Sequence, residues 1–263
     1  MSTPGREKFF GGVDGGSLTN QLLSGRLKAV RNPGLYSKMK EKEIKKLFLK
    51  WILENEEPDT IAVNEFTMIC WKRRVDLLIV NGNIHLVEIK SEKDNLSRLE
   101  AQLKYFLKKG HKVTLIADKK HKDKIRYLPN EVGIFWIVDG ELLLERPPER
   151  RDVHPEILSE YWRLDELRML FRGIIRKVHR IHVDKLQALL ASYPVEVVDK
   201  LTCGLLKARY QKYYSKVKIN GDLSIPRIAK KGIEDPRKDY AEFFKEARQL
   251  LLPYGGQMTF SFV

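Results

Sequence analysis

The chain predicts an α/β protein, a mixed sheet flanked by helices and followed by an α-helical C-terminal part. Three observations carry this. Residues 73–80 and 84–90 are apolar runs separated by Asn81-Gly82-Asn83, a hairpin-turn signal between two buried strands. Around that hairpin the apolar spacing alternates in the order helix, three strands, helix, strand. Beyond Pro147-Pro148 the pattern becomes helical throughout.

The elements follow in order. Residues 1–38 read as an N-terminal arm, with a short helix over 18–30 stopped by Asn32-Pro33-Gly34. Met39, Ile44, Leu47, Phe48, Trp51 and Ile52 recur at helical spacing and predict an amphipathic first helix over 37–53. A strand over 60–69 precedes the hairpin. Leu96, Leu99, Leu103 and Phe106 predict a helix over 94–109, with Asp94 placed to cap it. Strands follow at 112–117 and 132–138, with a helix over 119–127 between them. Asp139-Gly140 then turns the chain into 142–144.

Residues 146–152 read as a polar, proline-bearing linker. This divides the chain into a 39–146 α/β domain, a 147–253 helical domain and a 254–263 extended tail. The helical domain is predicted to hold helices over 164–179, 183–192, 195–214 and 239–252. The middle pair, joined at Ser192-Tyr193-Pro194, is the minimum for a helix-turn-helix. Its second helix carries Lys200, Lys207, Arg209 and Lys212. A DNA-facing surface and a solvated basic face both explain those cations.

With 263 residues and 43% hydrophobic content, the chain can build one good core and a second, smaller one. The formal net charge is +14, and each half on either side of Pro147 carries +7. The excess is no basic tail on a neutral body, and it suits nucleic acid better than a membrane surface. Cys70 and Cys203 have no metal-ligand spacing, which fits a cytoplasmic protein without a disulfide framework. No run is apolar and long enough to predict a membrane span or a secretory leader. The six histidines form no metal-ligand pattern.

Chemistry concentrates in the hairpin. Asp76 lies four positions before Val80 and Glu88 four after Ile84, so the two carboxylates face each other across the pair. Lys90, two residues beyond Glu88, shares its face. Two carboxylates and an ammonium on an apolar hairpin point to a bound divalent cation. An ion-paired strand edge, Asp76 with Arg74 and Glu88 with Lys90, is the plainer alternative. Mg²⁺ takes oxygen ligands, one or two of them carboxylates, and Asp76 and Glu88 supply those.

The string Asp76-x11-Glu88-x-Lys90 resembles the active-site signature of the PD-(D/E)XK nuclease superfamily. The resemblance extends through Asn64-Glu65, Ser91, Asp94, Leu96, Arg98, Gln102 and Gly133-Ile134, and covers roughly residues 39–146. Val75 stands where the motif has proline. The resemblance implies a restriction-endonuclease-like core and Mg²⁺-dependent hydrolysis of DNA, with Mn²⁺ able to substitute. It implies Asp76, Glu88 and the Ile89 backbone carbonyl as metal ligands, and Lys90 as the group that positions water or offsets phosphorane charge. Glu43 is expected to point into the site from the first helix, or else to lie in an exposed helix pair. Glu65 extends the acidic cluster, or pairs with Arg73 or Arg74. Gln102 positions catalytic groups, or is a surface glutamine. Ser91 and Arg98 are expected phosphate contacts, or Arg98 pairs with Asp94 at i,i+4. Two rival readings stand beside this one: a non-cleaving binding protein on a nuclease fold, and an RNA-processing nuclease.

Residues 257–263, from Gln257 through Phe260 and Phe262, resemble the short peptides with which bacterial proteins dock on the sliding clamp. A final edge strand packed on the protein itself is the alternative.

Overall fold

The computed structural model describes residues 39–67, 73–125, 127–223 and 240–254. The N-terminal arm and the clamp-like tail lie outside them. Helix α1 (Glu41–Asn55) leads into β1 (Ile61–Phe66), β2 (Val75–Val80) and β3 (Ile84–Lys90). Helix α2 (Leu99–Leu107) then precedes β4 (Lys112–Asp118). A 3-10 turn over Lys119–Lys124 leads to β5 (Val132–Val138) and β6 (Glu141–Arg146). The six strands lie in chain order, β1-β2-β3-β4-β5-β6. The first three and the last pair are antiparallel, whereas β3-β4 and β4-β5 are parallel. The predicted mixed sheet is therefore present.

Local chemistry accounts for the turns. Val80 pairs with Ile84, leaving Asn81-Gly82-Asn83 as the hairpin loop, and Gly82 takes φ +88° there. Asp139 and Gly140 both have positive φ, as a tight primed turn requires. Helix α1 covers one face of the sheet. Phe48 and Trp51 stack at 5.4 Å, and both meet Phe135 edge-on at 5.5 and 5.1 Å.

Two expectations in this region are corrected. Helix α2 starts at Leu99, not near Asp94, because Asp94 Oδ2 accepts from both the backbone N–H and the hydroxyl of Ser91. Asp94 thus braces the turn after Lys90 and does not cap a helix. The expected helix over 119–127 is only the 3-10 turn, begun by Asp118 accepting from the Lys120 N–H.

The C-terminal part holds α3 (Pro155–Ser159), α4 (Leu164–Leu170), α5 (Val183–Ala191), α6 (Val195–Asn220) and α7 (Ala241–Leu251). Helix α3 went unpredicted. Helix α4 ends well before the expected His179, and Gly173 at φ +86° turns the chain away three residues later. The 146–152 segment is no tether. Glu149 N–H donates to Glu131 O and Arg151 N–H to His111 O, and a Cβ on Gly133 would lie 2.6 Å from Pro148 N. The helical part shares one contiguous apolar core with the sheet. Tyr213 OH lies 3.4 Å from the Asn64 N–H, Phe66 packs against Tyr161 and Tyr210, and Tyr161 OH donates to Lys109 O.

Helix α6 is the spine of this part, and two of its four named cations, Lys207 and Arg209, are used inside the fold, whereas Lys200 and Lys212 are exposed. Arg209 is buried and donates to both carboxylate oxygens of a fully buried Glu166 and to Tyr161 O. Lys207 is mostly buried against Asp59. An exposed recognition face does not run through these residues. Arg209→Met leaves the Glu166 carboxylate without its guanidinium in an apolar setting. We expect a loss of about 3–5 kcal/mol in unfolding free energy, measured by urea denaturation. A loss below about 1 kcal/mol would contradict a buried, interdependent pair.

Candidate functional site

Register builds the site. Asn64 pairs with Leu77 and Phe66 with Val75, so Glu65 stands opposite Asp76. Leu77 pairs with Val87, and one step further on Asp76 stands beside Glu88. Three acidic residues on three consecutive strands therefore share one row. Glu65 holds φ +54°, a left-handed conformation that costs a non-glycine residue roughly 1–2 kcal/mol.

Asp76 and Glu88 come together as expected. Asp76 Oδ2 accepts from the Ile89 N–H at 2.7 Å. Burial first, and the neighbouring Glu88 charge second, push the Asp76 carboxyl up to about 7 against the pull of that hydrogen bond. Glu88 is 2% exposed. Its carboxyl is also raised by burial, opposed by Lys90 and Gln102. Glu88 Oε1 accepts from Lys90 Nζ at 2.7 Å and from Gln102 Nε2 at 2.9 Å. Glu88 Oε2 is buried with no hydrogen-bond partner. An orphaned carboxylate oxygen is costly, and a cation would satisfy it.

Lys90 also lies 3.4 Å from Gln102 Oε1, so the glutamine touches both catalytic candidates. Gln102 is thus in contact with the two groups that it is expected to position. Ile89 engages Asp76 through its N–H, leaving its expected carbonyl role a matter for the proposal below. Ser91 is tied into the Asp94 turn, and its carbonyl accepts from Nε2 of the buried His121. Arg98 is exposed at the start of α2.

Glu43 is the expectation that fails. Its Oε2 accepts from the Lys40 N–H and closes the α1 N-terminus as a capping box. The helix residue that reaches the acidic row is Glu41, one of whose carboxylate oxygens lies within 4.8 Å of one oxygen each of Glu65 and Asp76. The sequence held the signal. Glu41, Ile44, Phe48 and Ile52 fall on one helical stripe at spacings of three and four, whereas Glu43 falls off it.

Glu65 carries two cations. Lys45 Nζ lies 3.0 Å from its Oε1, and Arg74 Nε 2.5 Å from its Oε2. Lys45 is buried and also pairs with Glu41 one turn back. Burial alone would lower its pKa, but the two carboxylates hold the ammonium above its ordinary value. The arrangement can concentrate carboxylate oxygens around one small cation and hold one ammonium beside them.

Comparison with known proteins then places the chain. The family model described as Bacteriophage P4 protein cII matches residues 36–223, and the chain belongs to this family. Protein cII of Enterobacteria phage P4 is 34% identical over 98 residues, which are 36% of this chain and 37% of that protein. The alignment spans little more than a third of that relative's length. A solved protein of unknown function from Silicibacter pomeroyi is similar at 16% identity and a TM-score of 0.35, covering 45% of this chain and 79% of its own.

The Asp76 carboxyl makes a pH prediction. A carboxyl whose native pKa exceeds its unfolded value favours the fold while protonated, and that contribution is lost as pH rises through about 7. Asp76→Asn keeps an oxygen for the Ile89 N–H and removes the charge. In metal-free protein at pH 8 we expect the variant to be more stable than the parent, by on the order of 1–3 kcal/mol. At pH 5 the difference should shrink. Thermal melts in chelator check this, and a variant less stable than the parent at pH 8 would contradict it.

Proposed function

We propose that this member of the phage P4 cII family is a divalent-metal-dependent nuclease that hydrolyses phosphodiester bonds of DNA. The observation that carries the reading is Asp76 beside Glu88 on adjacent strands, Lys90 bonded to Glu88 Oε1, and a buried Glu88 Oε2 left without a hydrogen-bond partner. The resemblance of these residues to the PD-(D/E)XK signature supports it, as does the +14 charge. No helix among the described residues is long and apolar enough to cross a membrane.

The donor set suits Mg²⁺ or Mn²⁺, since every candidate ligand is a hard oxygen. Asp76 and Glu88 would hold the ion, together with the Ile89 carbonyl that the resemblance implies. The bound ion supplies Lewis acidity and a more acidic water. The remaining work falls to the chain. Glu88 Oε1 and Gln102 hold Lys90 Nζ in place, so its charge stands ready beside the carboxylates. From there the ammonium can hold an attacking water in line or offset charge on the phosphorane. Glu41 and Glu65, engaged by Lys45 and Arg74, keep the acidic row from collapsing or flaring. In this reading Glu65 and Glu41 position Asp76.

The test is a cleavage assay on plasmid, linear, branched and single-stranded DNA and on RNA, with Mg²⁺ or Mn²⁺. Asp76→Ala and Lys90→Ala should each lower the rate by about 10²-fold or more. Binding to uncleaved DNA in chelator should be largely retained in both. Full activity in both variants would overturn the site assignment. Cleavage confined to RNA would replace the substrate, and binding without cleavage of anything would leave a binding protein.

A further inference from the structure

Lys207 and Arg209 are committed inside the fold, so half of the α6 row has little charge to offer a substrate. We propose that the segment 172–180, between α4 and α5, is a second contact for the phosphate backbone of duplex DNA. The proposal rests on the DNA reading above and adds the place of contact.

Arg172, Arg176, Lys177 and Arg180 are all exposed. Among the described residues none has an ion pair, side-chain hydrogen bond or ring contact. Some surface cations elsewhere are paired, with Lys50, Lys104, Lys122 and Lys245 each within 4 Å of a carboxylate, and others such as Lys46 and Lys108 are open; what sets this segment apart is four open cations in one short stretch. The segment is also free of acid in sequence, with no Asp or Glu between Glu166 and Asp184. Four uncompensated charges within nine residues create a local positive field with no internal partner.

The segment is held in shape. Phe171 and Val178 are buried, and Ile174 and Ile175 pack partly against the core. Ile174 and Ile175 N–H groups both donate to Phe171 O, Arg180 N–H to Lys177 O, and Ile181 N–H to Val178 O. Gly173 and Lys177 take left-handed φ values of +86° and +57°, turning the chain twice within five residues. Apolar anchors thus fasten the backbone while the intervening cations face water. A fixed, uncompensated cationic ridge suits a repeated phosphate array, because little ordering remains to be done on binding.

The experiment is fluorescence anisotropy with a labelled 20-base-pair duplex across a salt series, in chelator so that cleavage is silent. Replacing Arg172, Arg176, Lys177 and Arg180 together by Gln should weaken binding about tenfold or more at moderate salt. It should also make the log Kd against log salt slope shallower by about 3 to 4. A second variant, with Lys50, Lys104, Lys216 and Lys245 changed to Gln, removes the same net charge elsewhere and should shift the slope by less than about 1. Matching thermal melts verify that both variants fold. Equal losses in the two variants, or an unchanged slope in the first, overturn the assignment. Loss of binding to phosphatidylserine vesicles with DNA binding intact would overturn it too. Parent protein that binds no duplex at all sinks the DNA reading itself, a separate result.

Discussion

The structure turns on a burden most folds avoid: like charges placed side by side on adjacent strands of a buried sheet. Glu65, Asp76 and Glu88 share a row, and a fourth carboxylate from Glu41 leans in from a helix. Their mutual repulsion and loss of water would push the strands apart at this level. Three cations and one backbone N–H oppose that. Lys45 bridges Glu41 and Glu65, Arg74 takes the other Glu65 oxygen, Lys90 holds Glu88, and Ile89 N–H holds Asp76. Among the buried oxygens of the row, Glu88 Oε2 is left without a partner. Everything proposed about chemistry follows from that imbalance.

The rest of the fold supplies stiffness for the row. Helix α1 is pinned by Phe48 and Trp51 on Phe135, which fixes where its first turn delivers Glu41 and Lys45. On the other side, α6 braces β1. Tyr213 touches the Asn64 backbone while also donating to Leu223 O, and Phe66 is closed in by Tyr161 and Tyr210. Asn64 and Phe66 flank Glu65 in sequence. The helical part thus clamps the strand whose strained residue sits in the acidic row, and the site is not the property of the sheet alone.

Much of this was legible in sequence. The strand pattern, the hairpin and the shared face of Asp76, Glu88 and Lys90 follow from periodicity, turn chemistry and a two-residue repeat, whereas Gln102 was marked only by the PD-(D/E)XK resemblance. The misreadings share one cause: local sequence does not say which partner a polar group will choose. Glu43 chose its own helix end, Asp94 chose Ser91, and Arg209 chose Glu166 forty-three residues away. The proline-bearing segment 146–152 looks like a tether by composition. Tertiary contacts with Glu131, His111 and Gly133 make it a docked strip. Glu41 was the avoidable miss, because the apolar stripe already pointed along that face.

Net charge is a poor guide to a binding surface until internal uses are subtracted. Lys45, Lys90, Lys109, Lys207 and Arg209 are committed to carboxylates, four of them across elements and all of them largely out of water. Such cations hold the fold together and have little left to offer a polyanion, since their fields are neutralised at short range. The cations of segment 172–180 are the reverse case: exposed, clustered, and answered by no carboxylate among the described residues. Half of a helix row that looked basic in sequence, Lys207 and Arg209, proves structural, and an irregular loop carries a denser cluster of open charge. Where a protein leaves charge unpaired, rather than where it merely has charge, is what its field can act on.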